Sequence, residues 1–240
     1  MSMDLNSFKI QLHSIFRILK IQNIFKLLSF QRILRKNFKI NKSFSFIQVG
    51  ANDGVSHDEL YHFVKMRRAK GIVIEPLPDI FKRLSLNYAF NSEIIPVRKA
   101  VHSDQKEVVL YRLDPGKSDQ FPNWSGGIAS LYKDHYKRSG LPSEAIIPET
   151  VPADNLMNII RDNFNLQSPD LLQIDVEGYD FEVLKQIDFS RIKPSVIKYE
   201  YINLSKHDLN LSILLLKQNG YFCFYEDMDI IAVLPGKIRL

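Results

Sequence analysis

The stretch that most restricts the fold is Phe44–Gly54, which reads Phe-Ser-Phe-Ile-Gln-Val-Gly-Ala-Asn-Asp-Gly. An apolar run rich in Phe, Ile and Val stops at Gly50, and a second glycine follows at Gly54. Beyond it, Leu60, Phe63, Val64 and Met66 recur at helical spacing within Glu59–Lys70, and Ser56 or Asp58 stands where an N-cap belongs. Strand, glycine turn and helix in that order predict an open α/β sheet. Such sheets bind nucleotide-like ligands at this turn, where glycine lets backbone N–H groups approach closely. The next segment, Gly71-Ile-Val-Ile-Glu75-Pro76, is a second buried strand that ends in a carboxylate. Glu75 lies 25 positions beyond Gly50, close to the spacing at which an acid on the second strand takes a ribose diol.

The rest of the chain repeats the alternation. Pro78–Ala89 is predicted helical, with Ile80, Phe81, Leu84 and Tyr88 on one face. Ile94–Val101 is a third strand that runs into His102-Ser103-Asp104. In a nucleoside site made from consecutive strands the adenine edge lies there, with Ser103 and Asp104 as its polar candidates. An ordinary turn before Lys106 is the other reading of Asp104. After a strand at Glu107–Leu113, residues 114–152 are the least regular part of the chain and carry its only tryptophan, Trp124. A long irregular insertion covers a site or moves, so Trp124-Ser-Gly-Gly-Ile-Ala-Ser-Leu131 is either a lid or a loop anchored by Trp124.

Asp154–Phe164 then reads as a helix, and Leu171-Leu-Gln-Ile-Asp-Val-Glu-Gly178 as a buried strand closed by the acids Asp175 and Glu177. A helix follows at Tyr179–Ile187, and a strand at Val196–Tyr201 ends at Glu200. Asp208–Asn219 is helical with Gly220 after it, and Tyr221–Glu226 pairs with Ile230–Leu234 as a hairpin. The class is therefore α/β with a mostly parallel sheet.

Charge divides the chain at residue 42. Residues 1–42 hold nine Lys and Arg against one acid, a surplus of eight; since the whole carries +5, residues 43–240 come to −3. The basic extension interleaves Leu, Ile and Phe with its cations, and two readings are open. It lies as an amphipathic helix on an anionic membrane surface, or it packs on the body or on another copy. It has no uncharged run long enough to span a bilayer and no secretory leader pattern. The acidic body argues against a nucleic-acid substrate. The single cysteine, Cys223, excludes a disulfide framework and a four-cysteine zinc site, and suits a reducing, cytoplasmic compartment.

Carboxylates thus close the strands at Glu75, Asp175, Glu177 and Glu200. Parallel strands bring their C-terminal ends to one edge, so these acids are expected to converge with the Gly50 turn. A phosphate loop of the Gly-x-x-x-x-Gly-Lys-Ser/Thr type is missing, as are the Gly-x-Ser-x-Gly elbow and the Gly-x-Gly-x-x-Gly fingerprint. A ligand with a ribose and no phosphate fits that pattern, and S-adenosylmethionine is such a ligand.

Phe46-Ile-Gln-Val-Gly-Ala-Asn-Asp-Gly54, Ile74-Glu-Pro-Leu-Pro78, Ile174-Asp-Val-Glu-Gly-Tyr-Asp-Phe-Glu-Val-Leu184 and Lys193-Pro194 before Glu200 together resemble the FkbM family of S-adenosylmethionine-dependent methyltransferases, over roughly residues 44–235. The resemblance implies a Rossmann-like class I methyltransferase fold: a seven-stranded, mostly parallel sheet with the last strand antiparallel, over residues 43–240, behind the basic helical extension 1–42. It implies O-methylation of a sugar, glycan or secondary-metabolite hydroxyl. Gln48, Gly50, Ala51, Asn52, Gly54, Glu75 and Pro76 would then hold the cofactor's methionine and ribose, Ser103 and Asp104 would face the adenine, and Asp175 would lie near the sulfonium. Gln48 stands where many relatives carry Asp or Glu.

An alcohol nucleophile must lose its proton as the bond forms, and the candidates for the base are Glu177, Glu200 and His207, with Glu177 preferred because Asp175 beside it can hold one carboxylate at a raised pKa. Capping of the helix turn, or a bond to the insertion loop, is the structural alternative for Glu177, and a surface position is that for His207. No histidines show metal-like spacing, although Asp175, Glu177 and Glu200 as Mg²⁺ ligands form a second mechanism. A non-catalytic nucleoside-binding subunit, held on a membrane glycan assembly by residues 1–42, is the reading from a different class.

Overall fold

The computed structural model describes residues 28–40, 42–56, 58–163 and 168–240, so residues 1–27 of the basic extension lie outside the described residues. The described part of that extension forms helix α1 (Phe30–Asn37), capped by Ser29, whose hydroxyl accepts the Arg32 N–H. Its apolar side, Phe30, Ile33 and Leu34, packs with Phe44 and Phe46 in one core cluster. Residues 28–37 are therefore packed on the body, the second of the two readings for that part of the extension.

Strand β1 (Ser43–Val49) is followed by α2 (Glu59–Lys65), β2 (Arg68–Ile74), α3 (Pro78–Tyr88) and β3 (Ile94–Val97). Strand β4 (Ala100–Val101), β5 (Glu107–Leu113), β6 (Ala129–Ser130) and β7 (Ile146–Asp154) come next, then α4 (Leu156–Asn163) and β8 (Leu171–Ile174). The chain ends with α5 (Asp180–Lys185), β9 (Val196–Glu200), α6 (Lys206–Gln218), β10 (Phe222–Glu226) and β11 (Asp229–Val233). Asp58, not Ser56, caps α2, its carboxylate accepting the Leu60 N–H at 2.8 Å.

The main sheet has seven strands in the order β10-β11-β9-β8-β1-β2-β3. Pairs β1–β2, β2–β3, β1–β8 and β8–β9 are parallel, whereas β11 runs antiparallel to both β9 and β10. The last strand is thus the antiparallel one, inserted between its neighbours rather than at the sheet edge. Both faces are covered: Ile47, Val49, Ile72 and Ile74 point into one cluster, Phe44, Phe46 and Val73 into the other. Burial on both faces is why these strands read as unbroken apolar runs. From β1 the chain lays β2 and β3 to one side and β8 and β9 to the other, which opens a crevice at the carboxyl ends of β1 and β8.

Two expectations are corrected. The predicted third strand splits, since Ile94–Val97 stays in the main sheet while Ala100–Val101 joins a second, four-stranded sheet of order β4-β7-β5-β6. The insertion is also less irregular than its prolines suggest, because β7 pairs with all of β5, from Glu107↔Pro152 to Leu113↔Ile146. The Ala153 N–H donates to Lys106 O at 2.8 Å, so odd-numbered residues of β7 face β5 with their donors. Pro148 and Pro152 hold even positions, whose nitrogens point away from β5, and cost the ladder no hydrogen bond. Arg112 of β5 fastens this sheet to the start of α3. Its buried guanidinium takes both carboxylate oxygens of Asp79 (2.6 and 2.9 Å) and reaches Glu149 at 2.9 Å. Among the described residues no helix is long and apolar enough to cross a membrane.

Candidate active site

The turn after β1 is shaped by the closeness of β8. Gly50 has φ +76°, and a Cβ there would lie 1.8 Å from the carbonyl oxygen of Asp175. The N–H groups of Gly50 and Ala51 both donate to Ile74 O, at 3.0 and 2.9 Å. They are used inside the sheet, so Gly50 serves a close approach of two strands and offers a ligand no free donor. Asn52, also left-handed at φ +49°, donates its N–H to Glu75 Oε2 at 3.1 Å, and the Leu77 N–H reaches Oε1 at 3.0 Å. Each Glu75 oxygen thus spends one lone pair on the backbone and keeps one. Burial pushes this carboxyl up to about 7, against the pull of those two N–H groups.

The acids of β8 and β9 form the opposite wall. Glu177 and Gly178 hold left-handed backbone (φ +55° and +99°), which turns the chain sharply into α5. Asp175 is exposed and lines the cavity. Crowding by the surrounding protein, followed by the charges of Asp180 and Glu177, raises its carboxyl well above the usual carboxylate range. Burial and then Asp175 push Glu200 up to about 8. Asp180, absent from the sequence-based candidates, is fully buried: Oδ2 accepts the Gly178 N–H at 3.2 Å, Oδ1 has no partner, and burial followed by Glu200 pushes it up to about 8. Asn203 bridges the wall, its Nδ2 donating to Glu200 Oε2 at 2.6 Å and Glu177 Oε2 at 3.2 Å. The buried imidazole of His135 brings Nε2 to 2.9 Å from Glu177 Oε2.

These walls enclose a cavity of about 400 Å³, within the range of small-molecule sites. Of the sequence-predicted residues, Gly50, Asn52, Glu75, Pro76, Asp175, Glu177 and Glu200 line it. Five do not. Gln48 belongs to the opposite face of β1, where its buried amide donates to Asp58 Oδ2 at 3.0 Å. Ala51 and Gly54 sit beneath the turn, Ala51 in the core cluster and Gly54 where a Cβ would meet Leu84 and Tyr88. Ser103 and Asp104 are exposed beyond the end of β4, bonded to each other, and the cavity wall there is Lys99, Ala100 and Val101. The chain leaves the main sheet after Val97, which carries those two residues past the pocket. His207 is an exposed residue of α6.

The insertion supplies the roof. Trp124, 45% exposed, lines the cavity with Gly127, Ile128 and Leu131, so it is wall and not buried anchor. Gly127 abuts the turn so closely that a Cβ would lie 2.1 Å from Asn52 Nδ2. Lys99 is the one side-chain cation among the described residues lining the cavity, and Asp154 holds it at 2.8 Å. No group of three acidic, His or Cys side chains among the described residues is arranged to hold a metal ion.

Residues 48–223 match the family model of the methyltransferase FkbM domain. Among solved structures, the chain is similar to methyltransferase FkbM from Methylobacillus flagellatus KT, with 13% identity, a TM-score of 0.50, and coverage of 86% of this chain and 48% of that one. The chain thus spans about half the length of that protein. It also matches the Methanococcus jannaschii fibrillarin pre-rRNA processing protein (12% identity, TM-score 0.41, 81% and 68% coverage). A further match is the precorrin-6y C5,15-methyltransferase from Geobacter metallireducens GS-15 (10% identity, TM-score 0.39, 82% of both chains). None of the curated proteins matches the chain.

Proposed function

This chain belongs to the FkbM family of S-adenosylmethionine-dependent methyltransferases, and from that premise we propose that it methylates a hydroxyl group of a sugar, a glycan or a secondary metabolite, with Glu177 as the base. The observation that carries the proposal is the convergence of Glu75, Asp175, Glu177 and Glu200, from three strand ends, on one cavity.

The residues present fit the cofactor. Glu75 retains one acceptor lone pair on each oxygen, the requirement for taking two neighbouring hydroxyls of a ribose. Asn52 and Pro76 flank it, and Asp175 presents a carboxyl group to the cavity whose ionised form a cationic ligand beside it would favour. The lone lining cation, Lys99, is committed to Asp154, which leaves no phosphate cradle. When bound, S-adenosylmethionine supplies an electrophilic methyl group on a sulfonium.

What remains for the protein is to orient the acceptor, exclude water and take up a proton. Glu177 faces the cavity, and its Oε2 is steadied by Asn203 and His135. That carboxylate would take up the proton that the acceptor hydroxyl loses. Trp124 and Tyr179 provide aromatic surface of the kind that packs on a sugar ring, and Ile128 and Leu131 of the roof add apolar lining.

The test is transfer of labelled methyl groups into a fractionated extract of host glycans and lipids. We expect label in a hydroxyl-bearing fraction, lost with Glu177→Gln while S-adenosylmethionine still binds. Label on nitrogen or carbon, or full transfer by Glu177→Gln, would refute the reading. Cofactor binding with no transfer to any fraction favours the non-catalytic nucleoside-binding subunit instead.

A further inference from the structure

The insertion and the proposed base are joined by a set of side-chain and backbone contacts. Ser130 Oγ donates to the backbone oxygen of Glu177 at 2.8 Å, and the Tyr132 N–H donates to Ser130 Oγ at 3.1 Å. The rings of Tyr132 and Tyr179 lie 6.3 Å apart, and Arg138 donates to Asn203 O at 2.5 Å. At the centre, His135 Nε2 stands 2.9 Å from Glu177 Oε2, with the imidazole buried. An imidazole nitrogen and a carboxylate oxygen that close attract each other only when a proton lies between them. The contact therefore fixes both the rotamer of Glu177 and the position of the turn His135–Lys137.

Glu177 needs such a fixture. Its backbone is left-handed at φ +55°, a strained position for a residue with a side chain. Asp175, Asp180 and Glu200 crowd it with further carboxyl groups, each held above the usual carboxylate range, and Lys198 is held by Asp229 at 3.1 Å. As these groups ionise with rising pH, their repulsion would swing an unattached carboxylate outward. Asn203 opposes that from β9's side, sharing one amide between Glu200 and Glu177. His135 opposes it from the insertion.

We infer that His135 is a positioning residue: it latches the insertion to Glu177, so that the roof closes and the proposed base is aimed into the cavity in one and the same contact. The inference rests on the reading of Glu177 as base only for its catalytic consequence; the latch itself is independent of it. The insertion reports on its own state, because Trp124 is the only tryptophan in the chain and Lys133, Lys137 and Arg138 are exposed beside the latch.

The experiment compares His135→Leu, His135→Gln and Glu177→Gln in the full chain. Trypsin cleavage after Lys133, Lys137 and Arg138, and Trp124 emission, are followed with and without S-adenosylhomocysteine. Affinity for that compound is measured by calorimetry, and labelled methyl transfer into the extract serves as the activity readout. His135→Leu is expected to be cleaved about tenfold faster with red-shifted Trp124 emission, to bind S-adenosylhomocysteine within about threefold of the parent, and to lose on the order of 100-fold in transfer rate. His135→Gln keeps an N–H donor at similar reach and should restore slow cleavage and most of the transfer. Parental cleavage and emission in His135→Leu would overturn the latch. Equal failure of the Gln and Leu variants would overturn it as well, since bulk and not the donor would then matter. If Glu177→Gln opens the insertion yet transfers methyl at the parental rate, the base assignment fails while the latch stands.

Discussion

The two ends of the cavity hold their carboxylates in different ways. Glu75 is gripped by backbone: the N–H groups of Asn52 and Leu77, both within 23 positions of it, occupy one lone pair on each oxygen. Glu177 is gripped by side chains from distant segments, His135 on the insertion and Asn203 beyond β9. Backbone donors fixed by strand ends cannot move without breaking the sheet, whereas side-chain donors on a roof move with it. The Glu75 end is therefore preformed for a constant ligand. The Glu177 end is assembled by the insertion, the part of the chain best placed to vary with the acceptor.

The widest separation between the two ends should come from Glu177→Gln. Loss of a positioned base costs roughly 10²- to 10⁴-fold in turnover. Methyl-transfer rates should fall by that much while calorimetric affinity for S-adenosylmethionine changes less than about threefold. A parallel loss of affinity would mean that the two ends are not separate.

Gly50→Ala probes the preformed end through its scaffold. The added Cβ meets the Asp175 backbone oxygen at 1.8 Å, and the φ of +76° is unfavourable for alanine. Neither atom is the tip of a flexible chain, so β1 and β8 must separate. Strain and overpacking together imply about 3 kcal/mol or more. Thermal unfolding should show a midpoint lower by roughly 6–12 °C for a domain of this size.

Glu75→Gln should weaken cofactor binding by roughly 10- to 100-fold, the worth of hydrogen bonds to a charged acceptor. Its pH dependence sharpens the test. Glu75 is raised from 4.5 to about 7, so the folded apoprotein binds more protons than the unfolded chain between those values. Stability of the apoprotein falls as pH rises through that window, and Glu200 and Asp180, both near 8, extend the decline to about pH 8. Cofactor affinity should move the other way, rising by up to about tenfold per pH unit until pH 7 if the ionised carboxylate takes the ribose hydroxyls. Titration calorimetry from pH 5.5 to 8.5 checks this, and Glu75→Gln should flatten the slope.

The same contrast explains what could be read from the residues alone. The strand–turn–helix order, the acids at the strand ends and the terminal antiparallel strand are local patterns, each carried by a few consecutive residues. They lead directly to Gly50, Glu75, Asp175, Glu177 and Glu200 at one cavity. Gln48 illustrates the limit, since alternation along β1 decides which face a side chain takes, and position 48 shares its face with Phe44 and Phe46. Ser103 and Asp104 missed the pocket because a two-residue gap after Val97 moves the chain into a second sheet, which no periodicity announces. His135 and Asn203 were illegible for another reason. Their partners lie 42 and 26 positions away, His135's across an insertion with little repeating pattern of its own. The buried Asp180 stood inside the Ile174–Leu184 motif, yet a carboxylate at a helix start is read as a cap before it is read as part of a site.

The smallest effect, Gly127→Ala, falls where the two ends meet. A Cβ at Gly127 would lie 2.1 Å from Asn52 Nδ2, the far end of a side chain that can turn away, so the fold loses little. The roof has two ways to relieve the clash. If Asn52 yields, its side chain leaves the cavity wall, and affinity for S-adenosylmethionine drops a few-fold with the unfolding midpoint lowered by less than about 2 °C. If the roof yields instead, the 123–127 turn lifts, and Trp124 emission shifts while affinity holds. The backbone of Asn52 is tied to Glu75 but its amide reaches no further than Asp53, so the side chain is the softer partner and the affinity loss is the expected outcome. Emission and affinity measured on one variant therefore decide which end of the cavity gives way to the other.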